Sequence, residues 1–212
     1  MKNNILTVLI LTIMAGSACV KHQKADSQVV AAPDTITNIA EGKKGFQKIG
    51  IRQLNISPDS LFSAGWFVVS AGDSAQFNEM TISWGALGTV WGVPAATIYI
   101  RNTRYTFEFL ERGKYFVLNA FPEQYRGALE LIGSKSGRDI DKVAATGLTP
   151  RFTELGNPYF DEAWLVIECE KIYRNDIDRN ALFEEGQKMY SADPNETHRM
   201  YIGKVLNVWE KK

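Results

Sequence analysis

The run AATIYIR, residues 95–101, does most to fix what this chain can fold into. It pairs high strand propensity with Pro94 at its start, where a proline removes no ladder donor, and so predicts a buried strand. Asn102, Thr103, Arg104 and Thr106 follow, and then FEFLE, which predicts a helix beginning at this polar cluster. Further strands are expected at residues 65–73, 114–121, 159–177 and from His198 towards the C-terminus, where Met200, Ile202, Leu206 and Val208 mark one face. Helices are few: PEQYRGALELIG, with a proline at its start and Gly133 near its end, and IDKVAATG, with Asp139 as its cap. Ser57-Pro58-Asp59 signals a turn or helix start. The expected class is mainly β with a few helices, a barrel or a sandwich.

The polar residues around this strand suggest a ligand. At the start of the expected helix, hydroxyls, guanidinium groups and free N–H groups meet the positive end of the helix dipole, which favours a phosphate. Upstream, Asn78, Thr81 and Ser83 are read as alternating with Met80, Ile82 and Trp84 along a short strand. That would line amide and hydroxyl groups against a ring with donor and acceptor edges. A second anion-binding turn is expected at Ser134, Lys135, Ser136, Gly137 and Arg138. Ordinary turn and cap chemistry accounts for the same residue types, so these positions alone leave both readings open.

Four blocks, FNEMTISWGALG, IYIRNTRYTFEFLE, GSKSGRDIDK and EAWLVIECEKIY, occur in an order and at a spacing that resemble the flavin reductase-like family of FMN-binding split barrels. The likeness runs from about Gly45 to the C-terminus. It implies a homodimeric FMN-binding split β-barrel with FMN held near the subunit interface. On that reading Arg101, Arg104, Lys135 and Arg138 neutralise the FMN phosphate, with Thr103, Thr106, Ser134 and Ser136 donating hydrogen bonds to it. Asn78, Thr81, Ser83 and the backbone around Trp84 and Gly85 meet the polar edge of the ring; Trp84 and Trp91 either cover a ring face or belong to the core or dimer interface, and His198 stands either near the flavin edge or at the surface as the first residue of a strand. The resemblance further implies NAD(P)H as electron donor, taken without a dinucleotide-binding domain; the sequence holds no GxGxxG and no P-loop.

The remaining features bound the setting. Lys and Arg number 24 against 24 Asp and Glu, which gives no basic field for nucleic acid. Two separate histidines and one internal cysteine offer no metal-ligand cluster. Lys2, the apolar run from Ile5 to Ala15 and the small residues before Cys19 read as a secretory signal over 1–18. This start resembles a bacterial lipoprotein signal, with lipidated Cys19 and a flexible tether over 19–45 leading to a domain over 46–212; a plain signal peptide or a short anchor is the other reading. An exported, membrane-anchored protein meets little reduced nicotinamide. A flavoredoxin-type electron carrier with a protein or quinol donor is therefore the alternative to an NAD(P)H-dependent reductase. Cys169, in an apolar run, is expected to be a buried small residue.

Overall fold

A computed structural model describes residues 45–190, 193 and 195–211, so the expected signal, Cys19 and almost all of the tether lie outside the described residues. Ten strands are formed among them: β1 (Phe46–Ile49), β2 (Phe67–Gly72), β3 (Phe77–Ile82), β4 (Gly85–Val90), β5 (Val93–Arg101), β6 (Tyr115–Ala120), β7 (Pro150–Phe152), β8 (Pro158–Phe160), β9 (Leu165–Asp176) and β10 (His198–Lys211). The helices are α1 (Pro58–Ser60), α2 (Tyr105–Arg112), α3 (Arg126–Ser134), α4 (Lys142–Thr146) and α5 (Glu184–Lys188). Ser57 caps α1, its side chain accepting from the Ser60 N–H. The cap of α4 is Asp141, which accepts from the Ala144 N–H at 3.0 Å, and not the expected Asp139.

The main sheet runs β3-β2-β6-β9-β10-β5-β4, with β1 paired to the end of β10. Its two edges, β3 and β4, are joined by only Ser83 and Trp84. A link that short spans about 10 Å, whereas seven strands laid flat would set the edges roughly 30 Å apart. The sheet must therefore curl until its edges face each other. No ladder forms between β3 and β4, and the barrel stays split along that seam.

Alternation along the strands fills the barrel from one face and clothes it from the other. Phe67, Val69, Ile98, Ile100, Phe116, Leu118, Leu165, Ile167 and Tyr201 point inward, and Phe109 and Leu110 of α2 join them. The intervening Val68, Val117 and Val166 pack outward with Leu129 and Ile132 of α3 and with Tyr159 and Phe160 of β8. Strand β10 serves two partners on one side, its first half pairing β5 and its last residues pairing β1. Irregularities between Ile202 and Gly203 and between Val205 and Asn207 bend it to do so. Gly203 is required at the first of these, because a Cβ there would lie 2.5 Å from the Phe116 ring.

The strand expected over 159–177 is two strands. Asp161 and Glu162 interrupt the apolar run, and the Glu162 carboxylate accepts the Thr149 N–H at 3.0 and 3.1 Å, turning the chain between β8 and β9. Cys169 is fully buried as expected, and burial pushes its thiol pKa well up.

Candidate functional site

Two loops meet over the end of β3. The first joins β5 to α2. Arg104 is the N-cap residue of α2, in an extended conformation and with no side chain closing the helix end, so the N–H groups of Tyr105 and Thr106 stay available to an acceptor. The second loop, between α3 and α4, turns tightly: Ser136 Oγ accepts the Arg138 N–H at 3.2 Å, and the Asp139 N–H donates to the Ser136 carbonyl at 3.0 Å. It runs hard against β3. A Cβ on Gly137 would stand 1.9 Å from Asn78 Oδ1, so only glycine lets the loop come this close.

Between the loops lies a cavity of about 290 Å³. Its wall includes Asn78, Thr103, Arg104, Thr106, Lys135, Ser136, Arg138 and Lys142. A second cavity of about 210 Å³ opens along the seam of the barrel, with Met80 to Trp84 on one side, Tyr99 and Arg101 on the other, and His198 beside them. Met80 and Arg104 line both cavities, which makes the two neighbours.

The expected polar residues divide by what they already bond. Arg104 and Lys135 make no ion pair or side-chain hydrogen bond among the described residues, and their charge is available to the cavity. Thr106 accepts from Asn78 Nδ2 at 2.6 Å through its buried hydroxyl oxygen, which leaves its own proton to donate. Arg101, by contrast, is paired with Glu196 at 3.0 Å, and the Thr103 hydroxyl lies 3.4 Å from the same carboxylate oxygen. Arg138 is paired with Glu108 and lies over the Tyr105 ring at 4.7 Å. Ser134 faces away, its hydroxyl donating to the Leu131 carbonyl at 3.3 Å within the last turn of α3.

The single polar edge expected from Asn78, Thr81 and Ser83 does not form. Strand side chains alternate with period two, which puts Asn78 and Thr81 on opposite faces of β3. Asn78 turns to α2, while the Thr81 hydroxyl donates to the Leu129 carbonyl of α3 at 2.5 Å. Thr81, Ser83 and Trp84 do line the seam cavity, and Asn78 lines the other one. Gly85 does not: it pairs with Ile98 under the Phe62 ring, which a Cβ would meet at 2.2 Å, and its need for glycine is one of packing. Trp91 stands at the exposed β4–β5 turn against Tyr173, and Trp84 is the tryptophan at the cavity.

Lys142, absent from the expected set, is the buried cation of the first cavity. Its ammonium donates to the Glu79 carbonyl at 2.6 Å and the Ile132 carbonyl at 3.0 Å, which leaves one of three protons for the cavity it lines. Burial lowers its pKa, more than the Glu79 carboxylate restores. Burial likewise raises Glu79 to about 7, with Lys142 opposing. A signal was present in sequence: Lys142 opens α4, where a cation opposes the helix dipole.

His198 is buried at the start of β10. Its Nδ1 lies 2.7 Å from the Tyr190 hydroxyl, and its ring packs on Trp84 with centroids 4.7 Å apart and planes at 36°. Burial, reinforced by Arg101, pulls its pKa down to about 4, so the imidazole is neutral at pH 7.

No curated protein matches this sequence. Solved structures do. A flavin reductase-like FMN-binding domain from Shewanella baltica superposes with a TM-score of 0.58 at 17% identity, covering 81% of this chain and 80% of that one. An FMN-binding protein from Thermus thermophilus gives 0.53 at 21% identity, over 68% and 70% of the two chains. Flavoredoxin of Desulfovibrio vulgaris gives 0.52 at 23% identity, over 68% and 67%. These likenesses establish the split-barrel fold. The sequence itself matches the flavin reductase like domain over residues 60–212, and the chain belongs to that family.

Proposed function

We propose that the protein binds FMN and acts as a flavin reductase-like oxidoreductase. The observation that carries this reading is Arg104, a guanidinium with no partner among the described residues, set where a cationic cavity adjoins a cavity along the barrel seam. The residues fit the group. Arg104, Lys135, the third proton of Lys142, the Thr106 hydroxyl and the N–H groups of Tyr105 and Thr106 together suit a phosphate. The seam cavity, with Met80 and Ile82, Trp84 at its rim and the open edge of β3, suits a flat ring with polar edges. Together the two volumes fall in the range that holds a mononucleotide.

FMN would supply hydride and single-electron chemistry. The protein's part is to hold the phosphate by charge, orient the ring across the seam and keep a neutral imidazole beside it. The family membership supports NAD(P)H as electron donor, taken directly on the ring without a dinucleotide-binding domain. The competing reading is an exported electron carrier with a protein or quinol donor, motivated by the signal-like start and Cys19. On either reading we propose lipid anchoring through Cys19 and an extracytoplasmic address. We also propose a homodimer, supported by the family membership.

The purified protein should bind FMN stoichiometrically, seen as flavin fluorescence quenching; absence of binding would remove the proposal. Mixed anaerobically with NADH or NADPH, the loaded protein should bleach within seconds. Bleaching by dithionite alone would select the electron-carrier reading.

A further inference from the structure

Tyr190 lies outside every motif that marks the site, yet its phenol touches His198. The hydroxyl is 2.7 Å from Nδ1, and both residues are buried. No other partner for that hydroxyl exists among the described residues, so the phenol satisfies its proton only by donating it to Nδ1. A ring nitrogen that accepts carries no proton, and a neutral imidazole must then carry its proton on Nε2. Nε2 has no hydrogen bond among the described residues, and it is not one of the buried atoms without a partner. It therefore opens onto the seam cavity that His198 lines. Tyr190 holds the Nδ1 edge of the ring, so flipping the imidazole would give up that hydrogen bond, while the packing on Trp84 is the same in either orientation.

We propose that Tyr190 is a positioning residue: it locks His198 in the Nε2–H form and aims one uncharged N–H donor into the seam cavity, at a ring acceptor of bound FMN. The aim at FMN rests on the function proposed above; the locked tautomer does not. The surrounding charges suit a neutral donor. Arg101 of β5 and Arg104 before α2 disfavour an imidazolium, Glu196 favours one, and Arg179 lies over the Tyr190 ring at 5.6 Å. With burial they leave His198 uncharged through the neutral range, and Tyr190, whose pKa is raised by its burial, stays a phenol.

The chain holds two histidines, His22 and His198, so a nitrogen-15 spectrum of the histidine-labelled protein contains two imidazoles. In the FMN-free protein one of them should show the proton on Nε2 alone and stay neutral down to about pH 5. Tyr190→Phe should give a mixture of tautomers and move the titration upward, towards the ordinary value of 6.5, with the backbone amide spectrum otherwise kept. A proton on Nδ1 in the parent, or an unchanged tautomer and titration in Tyr190→Phe, overturns the pair. FMN added to saturation, followed separately by fluorescence, should shift the Nε2–H resonance and slow its exchange with water; saturation without that shift overturns the aim at the ring. The tautomer measurement decides the pair whether or not FMN binds.

Discussion

Two polar clusters lie against the barrel, and each contains Asn and Thr side chains bonded within it. On the outer face, the buried Glu168 carboxylate accepts from Thr153 at 2.5 Å, Asn157 at 2.8 Å and Asn207 at 2.6 Å, and Thr153 in turn accepts the Asn157 N–H at 3.1 Å. In the cradle, Asn78 and Thr106 bond each other, but Arg104 and Lys135 bond nothing described, and Lys142 keeps a proton in hand. The first cluster uses its polar atoms on itself and ties the β7–β8 turn to β9 and β10. The second leaves cations unspent around open volume. What separates the structural cluster from the binding one is saturation together with charge: the carboxylate is fully bonded, and the cations are not.

The largest test of that contrast is Glu168→Ala. It strands two buried donors and one half-buried one and should lower unfolding stability by about 3 kcal/mol or more in denaturant titrations. The FMN affinity of the folded fraction should hold; a loss of binding with full stability would erase the distinction. Arg104→Ala should do the reverse, weakening FMN by about 1.5 to 3 kcal/mol in calorimetry while stability moves by less than about 0.5 kcal/mol.

A third test uses pH. Glu79 has its folded-state pKa raised from 4.5 to about 7, so its cost is absent below 4.5 and complete above 7. His198 is lowered from 6.5 to about 4, so its cost is absent above 6.5 and grows as pH falls to 4. Between about 4.5 and 6.5 the two slopes oppose each other and stability should be nearly flat. Glu79→Gln should remove the plateau, leaving a rise from pH 4 to 6.5, and should gain about 2 kcal/mol over the parent at pH 8. An unchanged profile would mean that Glu79 is ionised in the fold. The smallest effect is expected from Gly137→Ala, whose Cβ must push the loop off Asn78: FMN should bind roughly tenfold more weakly, about 1.4 kcal/mol, with little change in thermal midpoint.

Much of this was legible in the sequence. The runs that became β2, β5, β6 and β10 carry β-branched and aromatic residues, and the helix after Arg104 was signalled by its polar start. Strand β4, GALGTV, was not, because two glycines and an alanine leave little alternation to read. The Arg104 and Ser136 loops, both expected beside one phosphate, do line one cavity. Their internal commitments did not follow, since the Arg101–Glu196 pair joins residues 95 positions apart and is a fact of tertiary structure. Lys142 does not stand out in the sequence for a related reason: a lysine in a short helix ordinarily faces water.

The two-residue link between β3 and β4 acts as a gauge. The strands it joins are not bonded to each other, so the reach of Ser83-Trp84 sets an upper limit on the width of the seam at that point. Residues inserted between Ile82 and Gly85 would widen the seam cavity without breaking a ladder bond of the sheet. This fold can therefore be regauged for ligands of different thickness by changing the length of a loop, while the barrel and the phosphate cradle stay as they are.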